Sequence, residues 1–233
     1  MPGHNPILIY AEPAPRDGVT SPDPAGAAEG HLDALTGFVR RKGMGWWLCV
    51  LLLFKFGDHF SSGMLRPFLV DAGLSLGDIG WLVGLVGFAA GLVGALAGGW
   101  GTQRLGHRRA LVVFGIMQTM SLLIYVVPAL GYHQRELLWC ACALEHFTSG
   151  LATVALFTMM MDMCRPDHAA SDYTLQASVV VIENLIAAGM SGYSAVAFGY
   201  AGHFAISALL SLMGVYAINL YLVHFLPVEP ART

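Results

Sequence analysis

The chain has 233 residues, of which 56% are hydrophobic and only 12% are charged. Soluble domains carry about 25% charged residues, so this composition excludes an ordinary water-soluble globule and predicts an integral membrane protein. The net charge of −3 and the lack of a long basic run give no indication of nucleic-acid binding. The four cysteines form no CxxC pair or Cys/His cluster at zinc spacing, so we predict no metal site and no cofactor.

The amino-terminal part is rich in proline and glycine, and we expect residues 1–30 to form a disordered linker or tail. Residues 31–45 have the spacing of a short amphipathic helix that ends in a basic run, which we place at the cytoplasmic face. We expect a six-helix transmembrane bundle over residues 46–226 and a cytoplasmic tail over residues 227–233.

Six apolar segments follow the linker, each long enough to cross a bilayer. They run from about Trp46 to Val70, Leu76 to Gly98, Ala110 to Leu130, Leu137 to Met161, Tyr173 to Phe198 and His203 to Phe225. The predicted fold class is therefore an all-α membrane protein with six transmembrane helices. One set of connections holds eight lysines and arginines, and the other set holds only Arg135. The positive-inside rule then places both termini in the cytoplasm.

Glycines recur at spacings of three and four in the second segment, which puts them along one stripe of a helix. They are Gly84, Gly87, Gly91, Gly94 and Gly98. Such a stripe lets the backbone of another helix come close, and we expect it to be a helix-packing seam.

The loop after the glycine stripe resembles the signature of the major facilitator superfamily, roughly G-x-x-x-D-R-x-G-x-R-R. The matching residues are Gly99, Arg104, Gly106, Arg108 and Arg109. Gln103 stands where the superfamily usually has an acidic residue. The resemblance implies one half of a major facilitator fold.

Two further resemblances narrow the family. Residues 55–68 and 75–80 resemble the second half of AmpG-like muropeptide permeases and acetyl-CoA transporters. Residues 143–147 and 171–178 are more similar to RhtX/FptX-type siderophore permeases, the branch that we favour. This branch implies a carboxy-terminal six-helix half in the bacterial inner membrane, with a small-molecule substrate such as a ferric siderophore. It also implies a second six-helix half or a second copy as partner, and hence a truncated or split gene product.

Polar side chains interrupt three of the apolar segments, where each charge costs roughly 2.5–3.5 kcal/mol on insertion scales. They are Lys55, Asp58, Ser62 and Arg66 in the first segment, Glu145 and His146 in the fourth, and Glu183 and Asn184 in the fifth. Lys55 and Asp58 are three residues apart and can pair on one helix. We interpret the set as a substrate and proton pathway. The alternative is structural pairing, with Glu145 bonded to Lys55 or Arg66.

The predicted function is secondary active import of a siderophore by proton-coupled alternating access. A muropeptide permease half is one alternative, and a non-transporting membrane scaffold or degenerate fragment is another. The sequence has no P-loop, nucleophile motif or metal-ligand spacing, so an enzyme is not predicted.

Overall fold

The computed structural model describes residues 36–132 and 134–225. The predicted linker at 1–30, the start of the helix at 31–45 and the tail at 227–233 lie outside the described residues. Residues 36–39 form a helical turn. Gly43 adopts a φ of 87°, and the first long helix begins at Met44.

The described residues form helices and no strands, which confirms the predicted all-α class. The long helices are α1 (Met44–Asp71), α2 (Leu76–Leu105), α3 (His107–Ala129), α4 (Arg135–Met163) and a run over Ala169–Phe225. Three of these are interrupted: α1 at Lys55, α3 at Tyr125, and α2 by a π-helical segment at Gly80–Gly87. All five are long and apolar enough to cross a membrane.

The run over Ala169–Phe225 contains two crossing segments. Its 57 residues would extend about 85 Å as one helix, far beyond the thickness of a bilayer. Gly199 has a φ of 67° and a ψ of 175°, a conformation that glycine alone adopts readily, and the chain reverses there. We therefore divide the run into α5 (169–198) and α6 (200–225). The predicted six crossing segments are all present.

Contacts with α1 establish the directions of α5 and α6. On α5, Gln176 accepts a hydrogen bond from Trp47, and Glu183 contacts His59. Residue numbers therefore increase in the same direction along both helices, so α1 and α5 are parallel. On α6, the ring of Tyr221 lies 5.3 Å from that of Trp47, whereas the earlier residue His203 lies beside Phe60. The order is reversed, so α6 is antiparallel to α1.

The glycine stripe of α2 packs against α4. A Cβ atom on Gly94 would overlap the backbone of Phe147, and one on Gly98 would lie 2.9 Å from the Cα of Leu151. Gly84 differs from this pattern, because no atom lies within 4 Å of the place where its Cβ would be. It belongs to the π-helical segment, whose wider turns take it out of the stripe that a regular α-helix would form.

Two apolar clusters occupy the two ends of the bundle. The first includes Trp47, Phe54, Phe114, Leu156 and Tyr221. The second includes Phe68, Leu82, Tyr125, Leu138 and Phe204. Between them, at mid-height, lie buried polar side chains that we call the polar layer. The polar layer comprises Lys55, Asp58, Gln118, Thr119, Ser121, Glu145, Thr148, Glu183, Ser207 and Ser211.

At the end of the bundle next to the first apolar cluster, basic side chains form hydrogen bonds and ion pairs with neighbouring helices and connections. We call this end the basic end. Arg108 donates to the carbonyl of Leu222 at 2.5 Å, and Arg41 donates to that of Met163 at 2.9 Å. Further pairs at this end are His107 with Asp162 and Arg165 with Asp172. The loops that the sequence grouped by their positive charge therefore meet at one end. At the opposite end, Arg135 pairs with Asp78.

Candidate functional site

A buried ion pair on α1 forms the centre of the candidate site. The ammonium of Lys55 lies 2.5 Å from a carboxylate oxygen of Asp58, one helical turn away. Ser149 on α4 accepts a hydrogen bond from Lys55 at 3.1 Å and donates one to Asp58 at 2.9 Å. Both charged residues are at most 4% exposed. The hydroxyl of Ser149 thus joins α4 to two charges that neutralise each other on α1.

A second pair joins α1 to α5. The Nδ1 atom of His59 lies 2.7 Å from one carboxylate oxygen of Glu183, which is completely buried. The other oxygen of Glu183 has no hydrogen-bond partner among the described residues. His59 was absent from the predicted site residues. Its position four residues after Lys55, on the same helix face, is the signal that could have included it.

The third acidic group, Glu145, lies beside His146 on α4. The Nδ1 atom of His146 donates to the carbonyl of Cys142 at 2.9 Å. A Glu145 oxygen lies 2.7 Å from the same nitrogen, as an ion pair without hydrogen-bond alignment. The alternative pairing of Glu145 with Lys55 or Arg66 is therefore wrong.

The remaining candidates on α1 and α5 do not join these pairs. Ser62 and Arg66 lie on the exposed side of α1, and Asn184 is exposed on α5 although its neighbour Glu183 is buried. Adjacent residues of a helix point about 100° apart, so a single sequence position separates a buried side chain from an exposed one. The structure thus divides the predicted pathway into a buried cluster and three exposed residues.

The predicted signature loop lies at the basic end, away from the polar layer. Its members are Gly99, Arg104, Gly106, Arg108 and Arg109. The guanidinium of Arg104 stands 4.9 Å from the ring centroid of Trp100, and Gly106 ends α2 with a φ of 77°. Together with the bond from Arg108 to α6, these contacts fix the turn between α2 and α3. Among the described residues, no group of three histidines, cysteines or acids is placed to hold a metal ion.

The family model of the Major Facilitator Superfamily matches residues 7–182 and, in an overlapping second match, residues 48–233. The chain belongs to the major facilitator superfamily. Its helices are those of one half of the major facilitator fold, and the chain is a multi-pass integral membrane protein of this transporter superfamily.

Three relatives illustrate where this major facilitator chain lies in the superfamily. It is 26% identical to the anhydromuropeptide permease of Escherichia coli (strain K12) over 211 residues, which cover 90% of the chain and 43% of the permease. An uncharacterized Haemophilus influenzae protein is 29% identical over 76% of the chain and 44% of its own length. A Rickettsia bellii protein, named as a candidate AmpG transporter, is 23% identical over 71% and 40%.

This major facilitator chain spans less than half the length of the curated relatives that it matches. Two of the three carry names of the muropeptide permease group, and none carries the name of a siderophore permease. The predicted relationship to AmpG-like permeases is thus confirmed. The comparisons give no support to the preference for the siderophore branch.

Proposed function

We propose that this chain is the carboxy-terminal six-helix half of a proton-coupled transporter. It imports an amide-rich solute of the muropeptide class across the inner membrane by alternating access. The observation that carries the proposal is the cluster of ion pairs at mid-height. The His59–Glu183 pair joins α1 to α5, and the hydrogen bonds of Ser149 join α1 to α4. Buried ionisable groups within membrane segments are characteristic of substrate and proton pathways.

The charges of the cluster support proton coupling. With neutral histidines, Lys55 brings one positive charge against the three carboxylates of Asp58, Glu145 and Glu183, a net charge of −2. Uncompensated charge is costly at this depth, so the cluster gains stability by holding protons. Two of the carboxylates lie beside a histidine, Glu183 beside His59 and Glu145 beside His146. The proton is therefore our proposed coupling ion.

A second six-helix unit is part of the proposal. Large apolar side chains of α2 are exposed on the described chain, namely Trp81, Leu85, Phe88, Leu92 and Leu96. Alternating access requires two units that move against each other around a site near the bilayer midplane. Because the chain spans under half of its relatives, we propose that a second half or a second copy completes the cavity.

The muropeptide class is favoured by the names of two relatives. A ferric siderophore is the second candidate, because residues 143–147 and 171–178 resemble siderophore permeases. The first of these stretches contains Glu145 of the polar layer, so the resemblance includes a residue of the candidate site.

Uptake into proteoliposomes tests the proposal. The chain is reconstituted alone and together with an upstream six-span half, and uptake of a labelled anhydromuropeptide is measured with and without an inward proton gradient. We expect gradient-dependent uptake only with both units, and competition by muropeptide but not by ferric siderophore. Competition by the siderophore alone would instead support the second candidate.

Neutral variants identify the groups involved in coupling. Glu183→Gln is expected to reduce gradient-driven uptake more than about tenfold, because it removes a proton-binding carboxyl. Glu136→Gln is the matched control, since Glu136 is exposed at the end of α4. Unchanged uptake in Glu183→Gln, Lys55→Gln and Asp58→Asn would show that these groups serve helix packing and not transport. Efficient uptake by the monomeric chain alone would remove the need for a second half.

A further inference from the structure

The two ends of the bundle carry opposite charge. Among the described residues, the basic end holds seven lysines and arginines against three aspartates, a net charge of +4 with neutral histidines. The connections and first helical turns at the opposite end hold one arginine against three acids in the described part, a net charge of −2. An anionic partner is therefore attracted to the basic end and repelled from the other.

Part of the positive charge at the basic end is not used within the chain. Two of its three aspartates already form ion pairs, with His107 and Arg165. Three exposed cations take part in no ion pair within the part of the chain that the structure describes. They are Arg40, Lys42 and Arg109. These cations remain available to a partner outside the chain.

Lys42 and Arg109 both lie next to the last turn of α6. The residue that follows Lys42 is a glycine, and a Cβ atom on it would lie 2.8 Å from the ring of Phe225. The residue that precedes Arg109 is Arg108, which donates to the carbonyl of Leu222. Two segments that are distant in sequence thus bring cations without ion-pair partners to the same place.

An apolar face of α6 begins at this place and continues toward the middle of the bundle. α6 packs against α1 at Gly214 and against α3 at Ser211. Residues 200–225 contain no lysine, arginine, aspartate or glutamate. The side of α6 that faces away from these contacts exposes large apolar residues, namely Leu209, Leu212, Met213, Tyr216, Leu220 and Val223. Exposed apolar surface of this kind is typical of contact with a membrane.

An exposed indole lies close to both the cations and the apolar face. Trp46 follows Lys42 by four residues and is 67% exposed, whereas its neighbour Trp47 is buried against Tyr221 of α6. Tryptophan is enriched where a membrane meets water. Cations, an interfacial tryptophan and an apolar face correspond to the headgroup, the interface and the acyl chains of a phospholipid.

The charge and the apolar face together select the partner. A phosphodiester brings a negative charge and oxygens that accept hydrogen bonds from ammonium and guanidinium groups. A zwitterionic headgroup also brings a cation, which Lys42 and Arg109 would repel. A free phosphate has no acyl chain and gains nothing from the apolar face of α6. An anionic phospholipid is therefore favoured over both.

We propose that the surface formed by Lys42, Arg109 and the carboxy-terminal end of α6 binds the headgroup of an anionic phospholipid. The phosphodiester contacts both cations, and Arg40 adds to the positive potential. One acyl chain follows the apolar face of α6 past Val223. This site is separate from the ion pairs of the polar layer and does not depend on the proposed transport function.

Fluorescence quenching by brominated lipids tests the proposal. The full chain is reconstituted in bilayers that mix phosphatidylcholine with phosphatidylglycerol, with one or the other lipid brominated. The part of the quenching that is lost in Trp46→Phe reports the lipid beside this residue. We expect phosphatidylglycerol to bind there more strongly than phosphatidylcholine, by about fivefold for each of the two cations.

Charge variants identify the residues that select the lipid. Lys42→Gln combined with Arg109→Gln should remove the preference for phosphatidylglycerol. Lys42→Arg combined with Arg109→Lys should retain it, because both charges are kept. Arg135→Gln is the control and should leave the preference unchanged, since Arg135 is 61% exposed at the opposite end of the bundle.

Three results would overturn the proposal. The first is equal binding of the two lipids beside Trp46 in the unchanged chain, and the second is a preference that survives loss of both charges. The third is displacement of phosphatidylglycerol by inorganic phosphate at constant ionic strength, which would indicate a site for a free anion. If the double variant does not fold, Lys42→Gln alone should still lower the preference about fivefold.

Discussion

The charged residues of the polar layer stabilise the fold only as long as they remain paired. Lys55 and Asp58 are buried between apolar clusters, and each is the counter-ion of the other. Removal of one member leaves a buried charge without compensation, which is costly, whereas removal of both can be nearly neutral. Ser149 supplies the hydrogen bonds that a buried pair requires in addition to its Coulomb attraction.

The Lys55–Asp58 pair yields a stability prediction. Asp58→Asn is expected to lower the free energy of unfolding by about 3–5 kcal/mol because Lys55 loses its counter-ion. The double variant Lys55→Met with Asp58→Leu should recover most of that loss, as measured by unfolding in detergent. The control is Asp78→Asn, whose partner Arg135 is 61% exposed, with an effect below about 1 kcal/mol. A double variant as unstable as Asp58→Asn would contradict the pairing.

At the scale of helices, close backbone contact holds α2 to α4. Lipid tails are as apolar as leucine side chains, so packing at small residues is a main source of attraction between membrane helices. Gly94 and Gly98 provide such packing, while Gly84 in the π-helical segment does not. As a result, α2 contacts α4 closely at Gly94 and Gly98 but not at Gly84.

The glycine seam can be tested with single methyl groups. Gly94→Ala is expected to destabilise the bundle by about 1–3 kcal/mol, because the added Cβ overlaps the backbone of Phe147. Gly84→Ala is the control, because a Cβ at Gly84 would meet open space, and no loss is expected. Thermal unfolding of both variants in the same detergent provides the comparison. Equal losses would show that the seam is not a close contact.

The reversal at Gly199 gives a second prediction for an element. Its φ of 67° and ψ of 175° lie in a region that is essentially restricted to glycine, so Gly199→Ala should cost about 1–3 kcal/mol. Gly189→Ala serves as control, because Gly189 is helical and has no neighbour within 4 Å. A stable Gly199→Ala variant, measured by unfolding midpoint, would argue that α5 and α6 do not turn at this residue.

For the whole molecule, the arrangement of charge along the bundle predicts its orientation. The connections that carry arginine meet at the basic end, and the positive-inside rule places that end in the cytoplasm. The polar layer then lies at mid-height, between the two apolar clusters and near the bilayer midplane.

Labelling from the two sides of the membrane tests this orientation. In a chain whose native cysteines are replaced by serine, Gln103→Cys at the basic end should react with an impermeant maleimide only from the cytoplasmic side. Tyr132→Cys, 63% exposed at the opposite end, should react only from the other side and serves as its counterpart. Labelling of Gln103→Cys from outside intact cells would reverse the proposed topology.

The sequence by itself determined the features that depend on short-range spacing. Apolar length gave the six crossing segments, including the two that share one helical run. Spacings of three and four gave the Lys55–Asp58 pair and the face that α2 turns toward α4. These inferences succeed because residues three or four apart in a helix are neighbours whatever the surroundings.

Only the tertiary structure decided which helices face each other and by which residues. His59 meets Glu183 across 124 positions, and Ser149 reaches Asp58 across 91. The same packing left Asn184 exposed on α5, although its neighbour Glu183 is buried. The periodicity of one helix fixes the face on which a residue lies, but the partner of that face depends on how every other helix is rotated and packed.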